Sequence, residues 1–205
     1  MKIKILIADD HAIVRYGLAS LIATQPDMEV VGQARNGKEA VDLALKANPD
    51  IVIMDLSMPK MDGVEATSVL HDRLPSVRIV ILTSFVASDG IAHALDRGAA
   101  GAIMKTTDDS ALLPALRKIA AGEQVISPDI RKQLAANPPV PERSPRQRDI
   151  LEAIVRGLTN RDIATQLGIR KDSVEKHIKI LLSKIGAANR TEAVAIALRK
   201  HLLKI

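Results

Sequence analysis

The first 120 or so residues alternate between short apolar runs and longer segments whose apolar residues recur at helical spacing. The short runs are Ile3–Ala8, Val30–Ala34, Ile51–Met54, Ile79–Leu82 and Ala102–Met104. The intervening segment Ile13–Ile22, in which Leu18 and Leu21 continue the spacing, is typical of an amphipathic helix. Strands that are apolar almost throughout are buried on both faces, as in a parallel sheet covered by helices on each side. The pattern predicts five strand–helix units in a doubly wound α/β domain.

The pattern changes after residue 122. A short helix is expected at about Pro128–Ala135, and three prolines follow between Asn137 and Pro141. Proline-rich backbone is extended and semi-rigid, so we place a linker with a short helix at residues 123–141.

Residues 142–205 show helical periodicity alone, which predicts an all-α domain of four helices. Ser144 and Gln147 are spaced as a capping box, with proline at the first helical position. The four helices are expected from there to about Arg156, from Thr159 or Asn160 to just before Gly168, at about Lys171–Lys184, and after Asn189.

The composition excludes several classes of protein and of site. The chain has no cysteine, which excludes disulfides, cysteine zinc sites and thiol nucleophiles and fits a reducing cytoplasm. The N-terminal run ends in two aspartates after a few apolar residues, so we expect a strand there rather than a signal peptide. No stretch approaches the roughly 18 apolar residues that span a bilayer, so no membrane partner is expected.

The net charge changes sign near the same point of the chain at which the hydrophobic pattern changes. Residues 1–122 carry 13 basic and 15 acidic side chains, a net −2, whereas residues 123–205 carry 16 and 9, a net +7. The second part therefore has the electrostatics of a polyanion-binding domain. The only aromatic residues are Tyr16 and Phe85, which makes stacking on single-stranded bases improbable.

Polar residues directly follow four of the predicted strands. Asp9 and Asp10 follow the first strand, Asp55 the third, Thr83 the fourth and Lys105 the fifth. Ligands of an open parallel sheet bind at this carboxyl edge, so we expect these side chains to converge. Clustered carboxylates repel one another unless a cation neutralises them, and hard oxygen ligands suit Mg²⁺. Asp55 could then attack a phosphoryl group as a carboxylate nucleophile, with Lys105 and Thr83 stabilising the phosphoryl oxygens.

Several segments at this edge resemble the receiver domain of response regulators, over roughly residues 1–122. They are Ala8–His11, the run Asp55-Leu56-Ser57-Met58-Pro59-Lys60-Met61-Asp62-Gly63, the step Leu82–Ser84 and the strand Gly101–Lys105. The Met-Pro-x-Met-Asp-Gly part of the long run is a highly specific mark of the family. The resemblance implies a flavodoxin-like, five-stranded parallel sheet in which Asp55 accepts a phosphoryl group from a histidine kinase.

The resemblance also implies roles for the neighbouring residues. Mg²⁺ would be held by Asp10, Asp55 and the Ser57 carbonyl, with Asp9 acting mainly through a bound water. Phosphoryl binding would fall to three residues, namely Lys105, Thr83 and Ser84. Two positions depart from the family. Ala102 stands where Tyr or Phe usually couples to the threonine, and Thr106 stands where proline often follows the lysine. We interpret His11, His71, His93 and His201 as surface or packing residues.

The third helix of the second domain is amphipathic. Val174, Ile178, Leu181 and Ile185 share one face, and Lys176 and Lys179 share the opposite face. An apolar face that packs and a cationic face that points outward, after a short glycine-containing turn, suit a helix that enters a DNA major groove.

Residues 142–203 resemble the LuxR-type helix-turn-helix of the NarL/FixJ group. The matching segments are Ser144–Gln147, Leu158–Ala164, Leu167–Ile169, Ser173–Lys179 and Leu182–Gly186. The resemblance implies groove or base contacts for Lys176 and Lys179, and it places His177 and the start of the helix at Asn160 near phosphates. Besides the two lysines, the DNA-binding residues that it implies are Asn160, Arg161, Arg170, Lys171, Ser173, His177 and Lys184. Glu175 stands where many relatives have lysine, and Arg170 where Ser or Thr often caps the helix.

The last helix carries more apolar residues than one packed stripe requires. The resemblance implies that part of it, namely Val194, Leu198 and Leu202, forms a homodimer contact on paired half-sites of double-stranded DNA.

The sequence therefore predicts a transcriptional response regulator of a two-component system. Phosphorylation of Asp55 by a sensor histidine kinase would control dimerisation and promoter binding. The protein would not be an enzyme, except that it would assist its own phosphorylation and dephosphorylation. The predicted domains are residues 1–122, the receiver, and residues 142–205, the DNA-binding domain.

Two alternatives stay open at this point. An aspartate-nucleophile phosphohydrolase of the haloacid-dehalogenase kind also uses Mg²⁺, but Ser57 occupies the position of its usual second acid, and the basic helices would have no role. The other alternative is a DNA-binding regulator whose receiver acts without phosphorylation, through dimerisation or a protein partner.

Overall fold

A computed structural model describes residues 2–84, 88–136, 144–199 and 202–203, without the side chains of Ser88 and Arg199. The chain forms two compact units, residues 1–137 and residues 138–205. No helix within the described residues is long and apolar enough to cross a bilayer.

The first unit is a parallel sheet flanked by helices. Its strands are β1 Ile3–Ala8, β2 Met28–Ala34, β3 Ile51–Met54, β4 Arg78–Thr83, β5 Gly101–Met104 and β6 Val125–Ile126. Its helices are α1 Ala12–Ala23, α2 Gly37–Ala47, α3 Gly63–Arg73, α4 Ser88–Asp96, α5 Asp109–Ala120 and α6 Pro128–Ala136. The strand order is β2-β1-β3-β4-β5-β6, and the neighbouring strands are parallel. The predicted doubly wound α/β fold is confirmed.

The apolar strands supply both faces of the core, as their sequence pattern predicts. Ile5 and Ile7 pack on the side covered by α1 and α5, whereas Leu6 and Ala8 pack on the side covered by α2, α3, α4 and α6. All four side chains are buried. Helices therefore cover both faces of the sheet, and the carboxyl ends of the strands, where parallel sheets bind their ligands, are left for polar residues.

The structure adds a sixth strand that the sequence pattern does not predict. The amide of Val125 donates to the Ala100 carbonyl (3.1 Å) and the amide of Ser127 to the Ala102 carbonyl (2.9 Å). Helix α6 then packs Ile130, fully buried, into the same apolar cluster as Ala102. A two-residue strand is too short to show a period, which is why only the helix was predicted.

The second unit contains, within its described residues, the helices α7 Pro145–Val155, α8 Asn160–Leu167, α9 Lys171–Ile185 and α10 Arg190–Arg199. The predicted capping box at Ser144 and Gln147 is present. Gly168 and Gly186 end α8 and α9 in the left-handed region, at φ 62° and 71°. The predicted all-α domain is confirmed.

Candidate functional site

Four strand ends bring polar side chains together at the carboxyl edge of the sheet. Asp9 follows β1, Asp55 follows β3, Thr83 ends β4, and Lys105 follows β5. The side chains of Asp9, Asp55 and Thr83 are almost completely buried, with residue exposures of 2–4%. Burial of polar groups at this density is costly unless they pair with one another, so the arrangement points to a built site.

The ammonium group of Lys105 joins two of the carboxylates. Its Nζ lies 2.6 Å from Asp9 Oδ2 and 3.0 Å from Asp55 Oδ1, and its side chain is 11% exposed. Burial raises the pKa of the Asp55 carboxyl, the hydrogen bond and charge of Lys105 offset part of that rise, and nearby Asp9 and Asp10 add to it. Burial alone would lower the pKa of Lys105, but its contacts with Asp9 and Asp55 outweigh that effect and raise it. The lysine therefore stays cationic beside Asp55.

His11, which the sequence analysis assigned to the surface or to packing, is exposed and lies next to the two aspartates. Its backbone amide donates to Asp9 Oδ1 (2.8 Å), and its Nδ1 lies 2.8 Å from Asp10 Oδ1 and 3.2 Å from Asp9 Oδ1. The ligand atoms of Asp9, Asp10 and His11 lie within 4.8 Å of one another, the one such group found among the described residues.

The loop after Asp55 holds the carboxylate in place. The Ser57 amide donates to Asp55 Oδ2 (3.2 Å), and the Gly63 amide donates to the Leu56 carbonyl (3.0 Å). A Cβ at Gly63 would collide with the Asp55 carbonyl oxygen, so the loop can close on itself only with glycine there. Asp62 caps α3 by accepting from the Glu65 amide (2.8 Å). The Met-Pro-x-Met-Asp-Gly run is thus a structural support for the carboxylate.

Exposure changes between neighbouring residues at the end of β4. Thr83 is buried, and its carbonyl accepts from the Lys105 amide (2.8 Å), whereas Ser84 is exposed. Ala102 is fully buried in the cluster that also contains Ile91 of α4 and Ile130 of α6. The position that usually carries an aromatic side chain therefore lies in a packed core that α6 completes.

The donor set fits Mg²⁺. Asp9, Asp10 and Asp55 supply hard carboxylate oxygens. Ser57, whose backbone carbonyl is the other predicted ligand, is exposed in the loop after Asp55. Asp10 is more exposed than Asp9, with a side-chain exposure of 34%, so it offers an oxygen to an ion that keeps several waters.

In the second unit, α9 buries one face and exposes the other. Val174 and Leu181 are fully buried, whereas Lys176 and Lys179 are exposed, as the sequence predicts. No side chain caps α9 at Arg170, whose guanidinium instead lies 3.4 Å from the Asp172 carboxylate. The opposite face of this helix is thus solvent-exposed and carries both lysines.

The residues that the resemblance assigns to DNA differ in their surroundings. Arg161, Arg170, Lys171, Lys176 and Lys179 are exposed, and Ser173 and His177 are half-buried. Lys171 Nζ lies 3.4 Å from Glu175 Oε1. Lys184 Nζ donates to Gln147 Oε1 (3.3 Å), and the Asn160 side chain accepts from Arg190 (3.3 Å). Lys184 and Asn160 thus have partners inside the unit, whereas the exposed cations lie on its surface.

The three residues predicted to form the dimer contact differ in how exposed they are. Leu198 is 47% exposed and Val194 is half-buried, but Leu202 is buried in the core of the unit. The apolar surface of α10 thus centres on Leu198.

Comparison with known proteins gives a match for each unit. A family described as the response regulator receiver domain matches residues 5–117, and one described as bacterial regulatory proteins of the luxR family matches residues 144–197. Similar proteins include the response regulator protein VraR of Staphylococcus epidermidis and that of Staphylococcus aureus. Each is 38% identical over 209 residues, with 100% of both chains covered.

Solved structures of response regulators are also similar to this chain. The response regulator ChrA of a heme-sensing two-component system is 31% identical, with a TM-score of 0.60 over 98% of this chain and 99% of that one. RcsB from Salmonella enterica serovar Typhimurium, solved on a promoter with the phosphomimetic BeF3−, has a TM-score of 0.69 over 98% and 100% of the two chains. Its identity is 23%, so this second likeness concerns the fold alone.

Proposed function

The chain belongs to the response regulators that carry a LuxR-type DNA-binding domain, and we propose that Asp55 is the residue through which a histidine kinase controls it. As a member of this family it is a DNA-binding transcription regulator of a two-component system and not an enzyme of metabolism. The observation that carries the Asp55 assignment is the buried contact between its carboxylate and the Lys105 ammonium, 3.0 Å apart.

Phosphoryl transfer follows from this geometry. An Asp55 oxygen attacks the phosphorus of the kinase phosphohistidine, the P–N bond breaks, and the imidazole nitrogen leaves with the electron pair and takes up a proton. Lys105 pairs with a phosphoryl oxygen, and the Thr83 hydroxyl donates a hydrogen bond to another. Ser84, small and exposed, leaves room for the phosphoryl group. The same residues would support transfer from small phosphoryl donors and later hydrolysis.

Mg²⁺ is the cofactor that the carboxylates support. Asp10, Asp55 and the Ser57 carbonyl would hold the ion, with Asp9 reached through a water, and its charge would offset repulsion between phosphoryl and carboxylate oxygens. His11 Nδ1 contacts Asp10 Oδ1 and would have to release that oxygen.

DNA recognition would belong to the second unit. Helix α9 would enter the major groove with Lys176 and Lys179, while Arg161, Arg170 and Lys171 would contact phosphates. The remaining assigned residues, Asn160, Ser173, His177 and Lys184, would position the helix. Two copies would bind paired half-sites through Leu198 and its neighbours on α10.

The two units and the segment between them would have separate roles. Residues 1–122 would act as the receiver, residues 142–205 would bind DNA, and residues 123–141 would connect them, with β6 and α6 packed on the sheet. Both the kinase and the promoter imply a cytoplasmic location.

A phosphoryl analogue tests the receiver site directly. Beryllofluoride with Mg²⁺ should raise the melting temperature of the full chain, since a ligand at 100 times its Kd stabilises the folded state by about 2.7 kcal/mol. The Lys105→Ala variant should lose most of that shift, because the cation that faces the analogue is gone. Thermal melts with and without the analogue measure both.

Lys118→Ala is the matched control, because this exposed lysine lies in the last turn of α5. It should keep the full shift. A Lys105→Ala variant that melts cooperatively and shows the wild-type shift would contradict the proposal, as would a wild-type chain without any shift.

A further inference from the structure

Ile180 lies on the outward face of α9 with 54% of its surface exposed. It is one of four large apolar side chains that are exposed among the described residues, together with Ile13, Tyr16 and Leu198. The other apolar residues of α9 are buried or half-buried in the core of the second unit. Within the described residues, Ile180 is therefore not part of the apolar core that the rest of α9 helps to form.

The surroundings of Ile180 are cationic and polar. It follows Lys179 directly, lies four residues after Lys176 and three before Ser183, and all three neighbours are exposed. Residues three and four apart are neighbours on a helix surface, so Ile180 and Lys176 present one continuous patch. An apolar group beside lysines fits a partner that is anionic overall but carries an apolar group at a defined place.

Double-stranded DNA offers such a partner. Its phosphates are anionic, and in the major groove the thymine 5-methyl group is the apolar feature that side chains read. Isoleucine presents branched methyl groups and no hydrogen-bonding atom, so it can distinguish a thymine from other bases only through that methyl. We propose that Ile180 contacts a thymine methyl group and that each half-site requires thymine at that position. This inference rests on the proposed entry of α9 into the major groove.

The thymine-to-deoxyuridine exchange tests the inference, because it removes the methyl group and leaves base pairing unchanged. Full-length protein, phosphorylated with acetyl phosphate, is first used to select its DNA from random sequence. Each thymine of that DNA is then replaced in turn. Loss of one buried methyl should weaken wild-type binding about fourfold per half-site, and about 15-fold when both half-sites are changed.

The Ile180→Ala variant completes the cycle. It should bind the thymine DNA more weakly than the wild-type protein and bind thymine and deoxyuridine DNA equally at that position. Alanine favours helix, and Ile180 is exposed, so the fold should be kept. Ile13→Ala is the matched control, since Ile13 is also exposed but lies on α1 of the other unit. It should discriminate like the wild-type protein.

The possible outcomes separate this inference from the proposed function. If wild-type protein selects a specific DNA but no thymine responds to the exchange, the inference is wrong and groove binding stands. The same holds if Ile180→Ala keeps the wild-type discrimination. If the phosphorylated wild-type protein selects no specific DNA, both the inference and the proposed DNA contacts fail.

Discussion

Phosphorylation of the protein should disappear when Asp55 is replaced by asparagine. The amide keeps the shape of the side chain and can still accept a hydrogen bond from Lys105, 3.0 Å away, but it lacks the nucleophilic carboxylate oxygen. Acetyl phosphate with Mg²⁺ should add one phosphoryl group to the wild-type chain and none to Asp55→Asn. Intact-mass spectrometry or a phosphate-affinity gel measures the difference. Removal of Mg²⁺ by a chelator should suppress labelling of the wild-type chain.

Asp72→Asn serves as the control, because Asp72 is an exposed aspartate on α3 of the same unit. It should be labelled like the wild-type chain. Full labelling of Asp55→Asn would show that another residue accepts the phosphoryl group.

Specific DNA binding should weaken strongly when Lys176 or Lys179 is replaced by alanine. Each lost base contact costs about 1–3 kcal/mol, and each lost phosphate contact lowers the salt slope of binding by about 1. Both side chains are exposed on α9, so the melting temperature should change little. Binding isotherms of the full chain at several salt concentrations separate the two kinds of contact.

Lys118→Ala again provides a matched control, since it removes one positive charge from the other unit. It should leave the salt slope unchanged. Wild-type affinity in both Lys176→Ala and Lys179→Ala would mean that this face of α9 does not enter the groove.

The sequence predicted the acidic site because strand ends are visible as the last residues of apolar runs. Asp9, Asp55, Thr83 and Lys105 were expected at one edge, and the structure places them there. The sequence could not predict that Lys105 joins Asp9 and Asp55, because the distances depend on side-chain rotamers and on the loop that Gly63 closes. The contacts of His11 Nδ1 with Asp9 and Asp10 also depend on side-chain rotamers, so the sequence could not predict them.

The packing around Ala102 could not be predicted from the sequence either. The missing aromatic side chain was evident, but what occupies the space beside it was not. β6 and α6 supply that packing through Ile126 and Ile130. The sequence predicted the helix, but neither the short strand before it nor its place against the sheet. In the second unit, periodicity predicted the faces of α9 correctly, and only the exposure of Ile180 came from the structure.

The central claim is that phosphorylation of Asp55 controls binding of the full chain to specific DNA. The most direct measurement is the Kd for a DNA selected from random sequence, determined with and without acetyl phosphate, for wild-type protein and Asp55→Asn. The account predicts that the donor tightens wild-type binding by about 5- to 150-fold, the usual range for coupling between two sites, and leaves Asp55→Asn unchanged. Equal wild-type affinity with and without the donor, at full labelling, would contradict it.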